Sequence, residues 1–216
     1  ARQSTFYTSE DGGVNWRDLG ATNLFNLTPS PTVPNRLYAG DLNGFINYRS
    51  DDNGQAWQLL NTLPRDLVVL DGIDPDRQYA ISGTNWLSPS AQVRQVSFDS
   101  GVTWENWASS PCVIDTPHEL DTFDHPLVST GAGELWARCS VVSQDWYYSD
   151  DSGATWRWKA SSNTEVLTAD LAHPGRALMV NSQGLWRSDH GGSWQLLTAT
   201  FRGPPPGDLY MPLLRR

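Results

Sequence analysis

One phrase recurs along the chain and restricts its fold more than anything else in the sequence. Ser9–Trp16, Ser50–Trp57, Ser97–Trp104 and Ser149–Trp156 all read S-x-D-x-G-x-x-W, and a fifth copy, Ser188–Trp194, is one residue short. The spacing has a mechanical meaning. A short Asp side chain bonds backbone N–H groups just ahead of it, Gly accepts the positive φ of a tight turn, and Ser adds a second local hydrogen bond. The Trp then starts the returning strand and lays its ring over the turn, its indole N–H aimed at a backbone carbonyl. Asp11, Asp52, Asp99 and Asp151, with Trp16, Trp57, Trp104, Trp156 and Trp194, are therefore expected to clamp hairpins, the acids buried in turn hydrogen bonds. A catalytic carboxylate has no reason to recur in every repeat.

Around the clamps the repeat extends to four strands. An extended run (residues 23–28, 66–73, 119–123, 165–172 and 196–201) leads to a Pro-marked turn (28–35, 74–76, 124–126, 173–175 and 203–207). A second run follows (36–40, 77–82, 134–139, 176–180 and 207–211), then the strand that enters the clamp and the strand that leaves it. No stretch of ten or more residues has helical periodicity. Five copies in 216 residues give a period near 43, the signature of an all-β β-propeller of four-stranded antiparallel blades. The chain begins and ends inside a repeat, so a clasp of N-terminal and C-terminal strands is expected to close five blades in a single domain, 1–216: residues 1–20 with 196–216, then 21–60, 61–108, 109–160 and 161–195.

The clamps resemble the Asp-box, or BNR, repeat of sialidase-like β-propellers, and the resemblance covers essentially the whole chain. It implies a fold more than an activity, since the family includes sialidases, xyloglucan-cleaving glycosidases, sorting-receptor ectodomains and a photosystem assembly factor. Most members work outside the cytoplasm. A secreted, periplasmic or extracellular location is expected accordingly, and the start at Ala1 suits either a processed secreted chain or an excised fragment. A net charge of −9 with a single lysine, Lys159, argues against a nucleic-acid partner. No apolar run is long enough to insert in a membrane.

If the first strand of each blade is innermost, the clamps and the Pro turns share one face and the remaining loops share the other. Loops on a rigid ring are free to vary, so ligand contacts are expected on that second face. Its candidates are Asn85 and Trp86 in a loop, with Arg65, Asp66, Arg94, Glu119, Asp145 and Glu165. Trp107, Trp146 and Trp158 alternate along strands and are expected to pack between blades. His118, Glu119, Asp121, Asp124 and His125 include metal-ligand types, but Asp124 and His125 align with the Pro turns of the opposite face, so no metal site and no cofactor is assigned.

Sialidases hold a carboxylate with three arginines. Arg36, Arg77 and Arg176 recur at one repeat position and Arg49 and Arg187 at another, which makes them structural and leaves Arg65, Arg94 and Arg138. A xyloglucanase-like hydrolase needs two facing carboxylates, and Asp66, Glu119, Asp145 and Glu165 are available on the loop face. The sequence reads best as a non-enzymatic propeller that binds a glycan or protein ligand, with a place in a larger extracellular assembly; a glycoside hydrolase is the alternative. Cys112 and Cys139, the only cysteines, are expected to pair as a disulfide at the loop face.

Overall fold

The structure, a computed structural model, describes residues 4–40, 46–60, 67–82, 93–107, 127–139, 145–160 and 164–198. Every regular element among them is a β-strand. β1 (Ser4–Thr8) and β2 (Arg17–Thr22) form a two-stranded sheet. Four four-stranded antiparallel sheets follow in chain order: β3 (Phe25–Pro29), β4 (Leu37–Gly40), β5 (Ile46–Ser50) and β6 (Gln58–Leu59); β7 (Leu67–Leu70), β8 (Gln78–Ser82), β9 (Val93–Ser97) and β10 (Glu105–Asn106); β11 (Leu127–Gly131), β12 (Glu134–Arg138), β13 (Trp146–Ser149) and β14 (Arg157–Ala160); β15 (Thr164–Ala169), β16 (Arg176–Asn181), β17 (Gly184–Asp189) and β18 (Gln195–Thr198). Each of the four is a meander in which sequential strands are hydrogen-bonded neighbours.

The first strands are innermost in the central sheets, where β11 packs against both β7 and β15. Burial follows that order. β11 and most of β12 are buried, whereas β6, β10 and β18 are exposed along their whole length. The apolar and β-branched residues sit in the inner strands, as a half-buried pleated surface requires. Two clusters hold neighbouring sheets together. Tyr79, Ile81 and Val96 meet Leu127, Leu135 and Ala137 between the β7–β10 and β11–β14 sheets. Val128, Trp136, Trp146 and Tyr148 meet Leu167 and Ala177 between the β11–β14 and β15–β18 sheets.

Three expectations need correction. The first strand of the β11–β14 sheet is Leu127–Gly131 and not residues 119–123, and its turn is the two-residue link Ala132–Gly133, both at positive φ, with no proline. Residues 196–198 pair with β17 as the outer strand of the last sheet and do not open a further blade. Trp158 is 57% exposed on an outer strand, whereas Trp107 and Trp146 do pack between sheets. Residues 199–216, from which a clasp would be drawn, lie outside the described residues.

Candidate functional site

The S-x-D-x-G-x-x-W turns are built alike. In each full copy the Ser hydroxyl donates to the Asp carboxylate at 2.7–2.9 Å and accepts the Gly N–H at 2.8–2.9 Å. The same carboxylate accepts the N–H four residues on, from Asn15, Ala56, Thr103 and Thr155, at 2.8–2.9 Å. The indole N–H of Trp16, Trp104 and Trp156 donates to the carbonyl of its own turn glycine. Two successive residues take positive φ, Asn53–Gly54, Ser100–Gly101 and Ser152–Gly153, and the first copy uses Gly12–Gly13. The carboxylates are not buried as expected: Asp11, Asp52 and Asp151 are exposed and Asp99 is half-buried, and it is their bonds that hold them.

Those bonds also keep them ionised. Asp11 falls to about 2 because the Asn15 N–H and side-chain amide both donate to it. For Asp99 and Asp151 burial pushes upward, but the Thr103 and Thr155 hydroxyls and N–H groups outweigh it, so both are held below the usual range. The short fifth copy lacks this acid. Asp189 accepts from Arg176 Nε as Asp51 accepts from Arg36 Nε, so it fills the position before the motif Asp. Ser188 donates instead to the Gly192 carbonyl, and the buried indole N–H of Trp194 has no acceptor among the described residues.

The turn between a sheet's first two strands lies beside its motif turn. Backbone bonds tie Asn53 to Asn35, Ser100 to Asp76, Ser152 to Gly133 and His190 to Gly175 at 2.7–2.9 Å. On that face the two kinds of turn brace each other in each of the four sheets. A further acid there escaped the sequence reading because half of its N–H partners are distant in sequence: Asp71, 1% exposed, accepts N–H groups from Ile73, Asp74, Ala132 and Gly133 at 2.9–3.1 Å, and Asp170 holds the equivalent place in the last sheet, accepting the Ala172 N–H at 3.1 Å. It also accepts hydroxyls from Ser129 at 3.3 Å and Tyr79 at 3.4 Å, so one carboxylate joins two adjacent sheets. His190, bonded to Glu134 at 2.6 Å, joins the next pair, and that contact raises its pKa.

Of the candidate residues, the structure describes Arg94 and Asp145, together with Arg138. Arg94 stands at the start of β9, opposite Ile81, and its carbonyl accepts the Trp107 N–H at 2.9 Å. Burial lowers the pKa of its guanidinium. Arg138 ends β12 and is 9% exposed. Beside it, the Cys139 N–H donates to the Asp145 carbonyl at 2.9 Å, closing the neck of the loop between β12 and β13. Arg94 and Arg138 thus stand on adjacent sheets, the first half-buried and the second buried. Asn85, Trp86, Arg65, Asp66 and Glu119 lie outside the described residues, as does the side chain of Glu165. Cys139 is in a disulfide, and Cys112, the only other cysteine, also lies outside the described residues. Among the described residues no group of His, Cys, Asp and Glu is arranged to hold a metal ion, and no helix is long and apolar enough to cross a membrane.

No family model and no curated protein matches the chain. Solved structures do. A GH74 xyloglucanase from Xanthomonas campestris superposes with a TM-score of 0.57 at 19% identity, over 94% of this chain and 33% of that one. YCF48 bound to D1 peptide gives 0.53 at 18%, over 91% and 62%, and a GH74 enzyme from Niastella koreensis gives 0.52 at 18%, over 89% and 28%. These are β-propeller proteins. The fold is that of β-propeller blades. The chain spans about a third of the xyloglucanase and under two thirds of YCF48.

Proposed function

We propose that the chain is a non-enzymatic binding or scaffold propeller of the Asp-box type that works outside the cytoplasm. Its ligand is a protein segment or a glycan, held on the face away from the motif turns. The observation that carries this reading is the employment of the motif acids: Asp11, Asp52, Asp99 and Asp151 each accept hydrogen bonds from their own turn, which leaves the recurring carboxylates to structure. On the other face, Arg94 is the charged candidate nearest the loop that precedes β9. The similarity to a YCF48 structure holding a peptide favours a polypeptide ligand. The disulfide at Cys139 favours an oxidising compartment. Peptide and glycan arrays probed with the chain and with Arg94→Ala test the proposal: retention that the substitution weakens supports it, and retention indifferent to Arg94 places the ligand elsewhere.

The similarity to GH74 enzymes favours one alternative, glycoside hydrolysis by two loop-face carboxylates drawn from Asp66, Glu119, Asp145 and Glu165. Release of reducing ends from xyloglucan, abolished by Asp145→Asn or Glu165→Gln, would establish it.

A further inference from the structure

Successive four-stranded sheets meet beside their motif turns through one recurring pair of side chains, and the last pair differs from the others in kind. The first partner is the residue just before the one that pairs with the motif Ser: Arg36, Arg77 and Glu134. The second is the positive-φ residue ahead of the turn glycine in the following sheet: Ser100, Ser152 and His190. Arg36 Nη1 donates to the Ser100 hydroxyl at 3.1 Å, and Arg77 stands beside Ser152, since a Cβ built on Gly133 would lie 2.8 Å from Arg77 Nη1 and 2.9 Å from Ser152 Oγ. Between the β11–β14 and β15–β18 sheets both members are exchanged together, and Glu134 meets His190 at 2.6 Å. Neither an arginine nor a serine titrates near neutral pH, whereas an imidazole does.

The exchanged pair belongs to a closed circuit of hydrogen bonds across the junction. The Thr130 hydroxyl donates to the other oxygen of Glu134 at 3.2 Å, the Thr130 carbonyl accepts the Gly175 N–H at 2.8 Å, and the Gly175 carbonyl accepts the His190 N–H at 2.7 Å. Gly175 leaves room for the imidazole, because a Cβ there would run into the ring. The His190 side chain is 69% exposed and so exchanges protons with solvent, while that of Glu134 is 13% exposed and is little screened by salt. The neighbouring charges have partners of their own. Arg176 and Arg187 hold Asp189 at 2.8 and 3.3 Å, Lys159 bonds the Gly191 carbonyl, Arg157 pairs with Asp150, and His173 is held by Asp170 inside its own turn at 2.9 Å. Burial pushes the Tyr148 phenol, beside Glu134, upward, so it stays neutral.

We infer that Glu134 and His190 form a proton-operated latch between the β11–β14 and β15–β18 sheets, tight while the imidazole is doubly protonated and slack once it loses a proton. Protonated, His190 donates a charge-assisted bond to the carboxylate, roughly twice as strong as the neutral bond that remains afterwards. The bond with Glu134 raises the pKa of His190 above 6.5, so the stability it adds is complete below 6.5 and is lost as pH rises through the raised value. The circuit carries that change to the Gly175 N–H, so the junction between the sheets, and not only the ring, answers to pH.

NMR of the full chain tests this with two readouts. The His190 ring, assigned by its loss in His190→Ser, is expected to titrate above 6.5 and to return toward that value in Glu134→Gln. Hydrogen exchange of the Gly175 amide, expressed as a protection factor, is expected to show several-fold greater protection at about pH 5.5 than at about pH 8.5. The Ser100 and Ser152 amides, in turns that have no histidine, are expected to keep the same protection across that range. In Glu134→Gln, and in His190→Ser, which installs the residue of the two other turns, Gly175 protection is expected to be independent of pH; either variant suffices should the other fail to fold. Titration of His190 at or below 6.5 would overturn the inference. Gly175 protection that is flat with pH in the parent, or that changes as much in the folded variants as in the parent, would overturn it too.

Discussion

Asp71 and the motif acids do related work at different depths, and their loss should be felt differently. Asp71 is buried and accepts from four N–H groups and two hydroxyls on two sheets. Asp71→Ala strands several buried donors at once, so urea unfolding should show a loss of at least about 3 kcal/mol, since each stranded donor costs about 1–3 kcal/mol. The motif acids instead confer a pH dependence. Their pKa values are lowered by folding, so the stability they contribute is complete above the ordinary carboxylate value of 3.8 and is lost as pH falls toward about 2, the value for Asp11. Melting temperatures should therefore hold steady down to about pH 4 and fall steeply below it. A flat profile through that window would mean the turn bonds do not favour the charged form. These turns were legible in the sequence because every partner lies within a few residues. Asp71 was not, because its partners Ser129, Ala132 and Gly133 lie about sixty positions away.

Neighbouring sheets meet through aromatic side chains whose positions look alike in sequence and differ in space. Trp107 packs on Tyr79 and Trp156 and lies over Gly153, while Trp158, on the outer strand of the following sheet, is largely exposed. Trp107→Ala should cost about 2–3 kcal/mol, somewhat less than a fully buried Trp because it is half-buried. Trp158→Ala should stay within about 0.5 kcal/mol of the parent. Chemical denaturation of the two variants side by side checks the pair, and equal losses would contradict the placement of the outer strand. Alternation alone put both tryptophans between blades. It failed for Trp158 because the outer strand of the sheet before it, β10, has only two residues and does not cover it. The strand 127–131 was misplaced for a similar reason: its turn, Ala132–Gly133, is a tight link that needs no proline, so the proline at 126 pointed to the wrong side of it.

At the scale of the molecule, recurring blades were readable because a repeat states its own period, whereas the loop face has no period and its candidates rested on position alone. Of those, Arg94 is the second residue of β9 and Asp145 immediately precedes β13. The disulfide at Cys139 should add stability to that face. If its partner is Cys112, reduction should lower the unfolding free energy by about 3 kcal/mol, and intact-mass analysis under alkylation should find no free thiol before reduction. Two free thiols in the unreduced protein would remove both the bond and the argument it gives for an oxidising compartment.

On the proposed function, the recurring carboxylates hold the scaffold and the opposite face meets the ligand. Peptide and glycan arrays probed with the parent, Asp99→Ala and Asp151→Ala, with melting temperatures taken on the same samples, test it most directly. The account predicts lower melting temperatures, by an amount reflecting about 1–2 kcal/mol for each lost turn acid, with the array signals retained at temperatures where the variants remain folded. Array signals that vanish at an unchanged melting temperature would contradict it and make the motif acids part of the binding site.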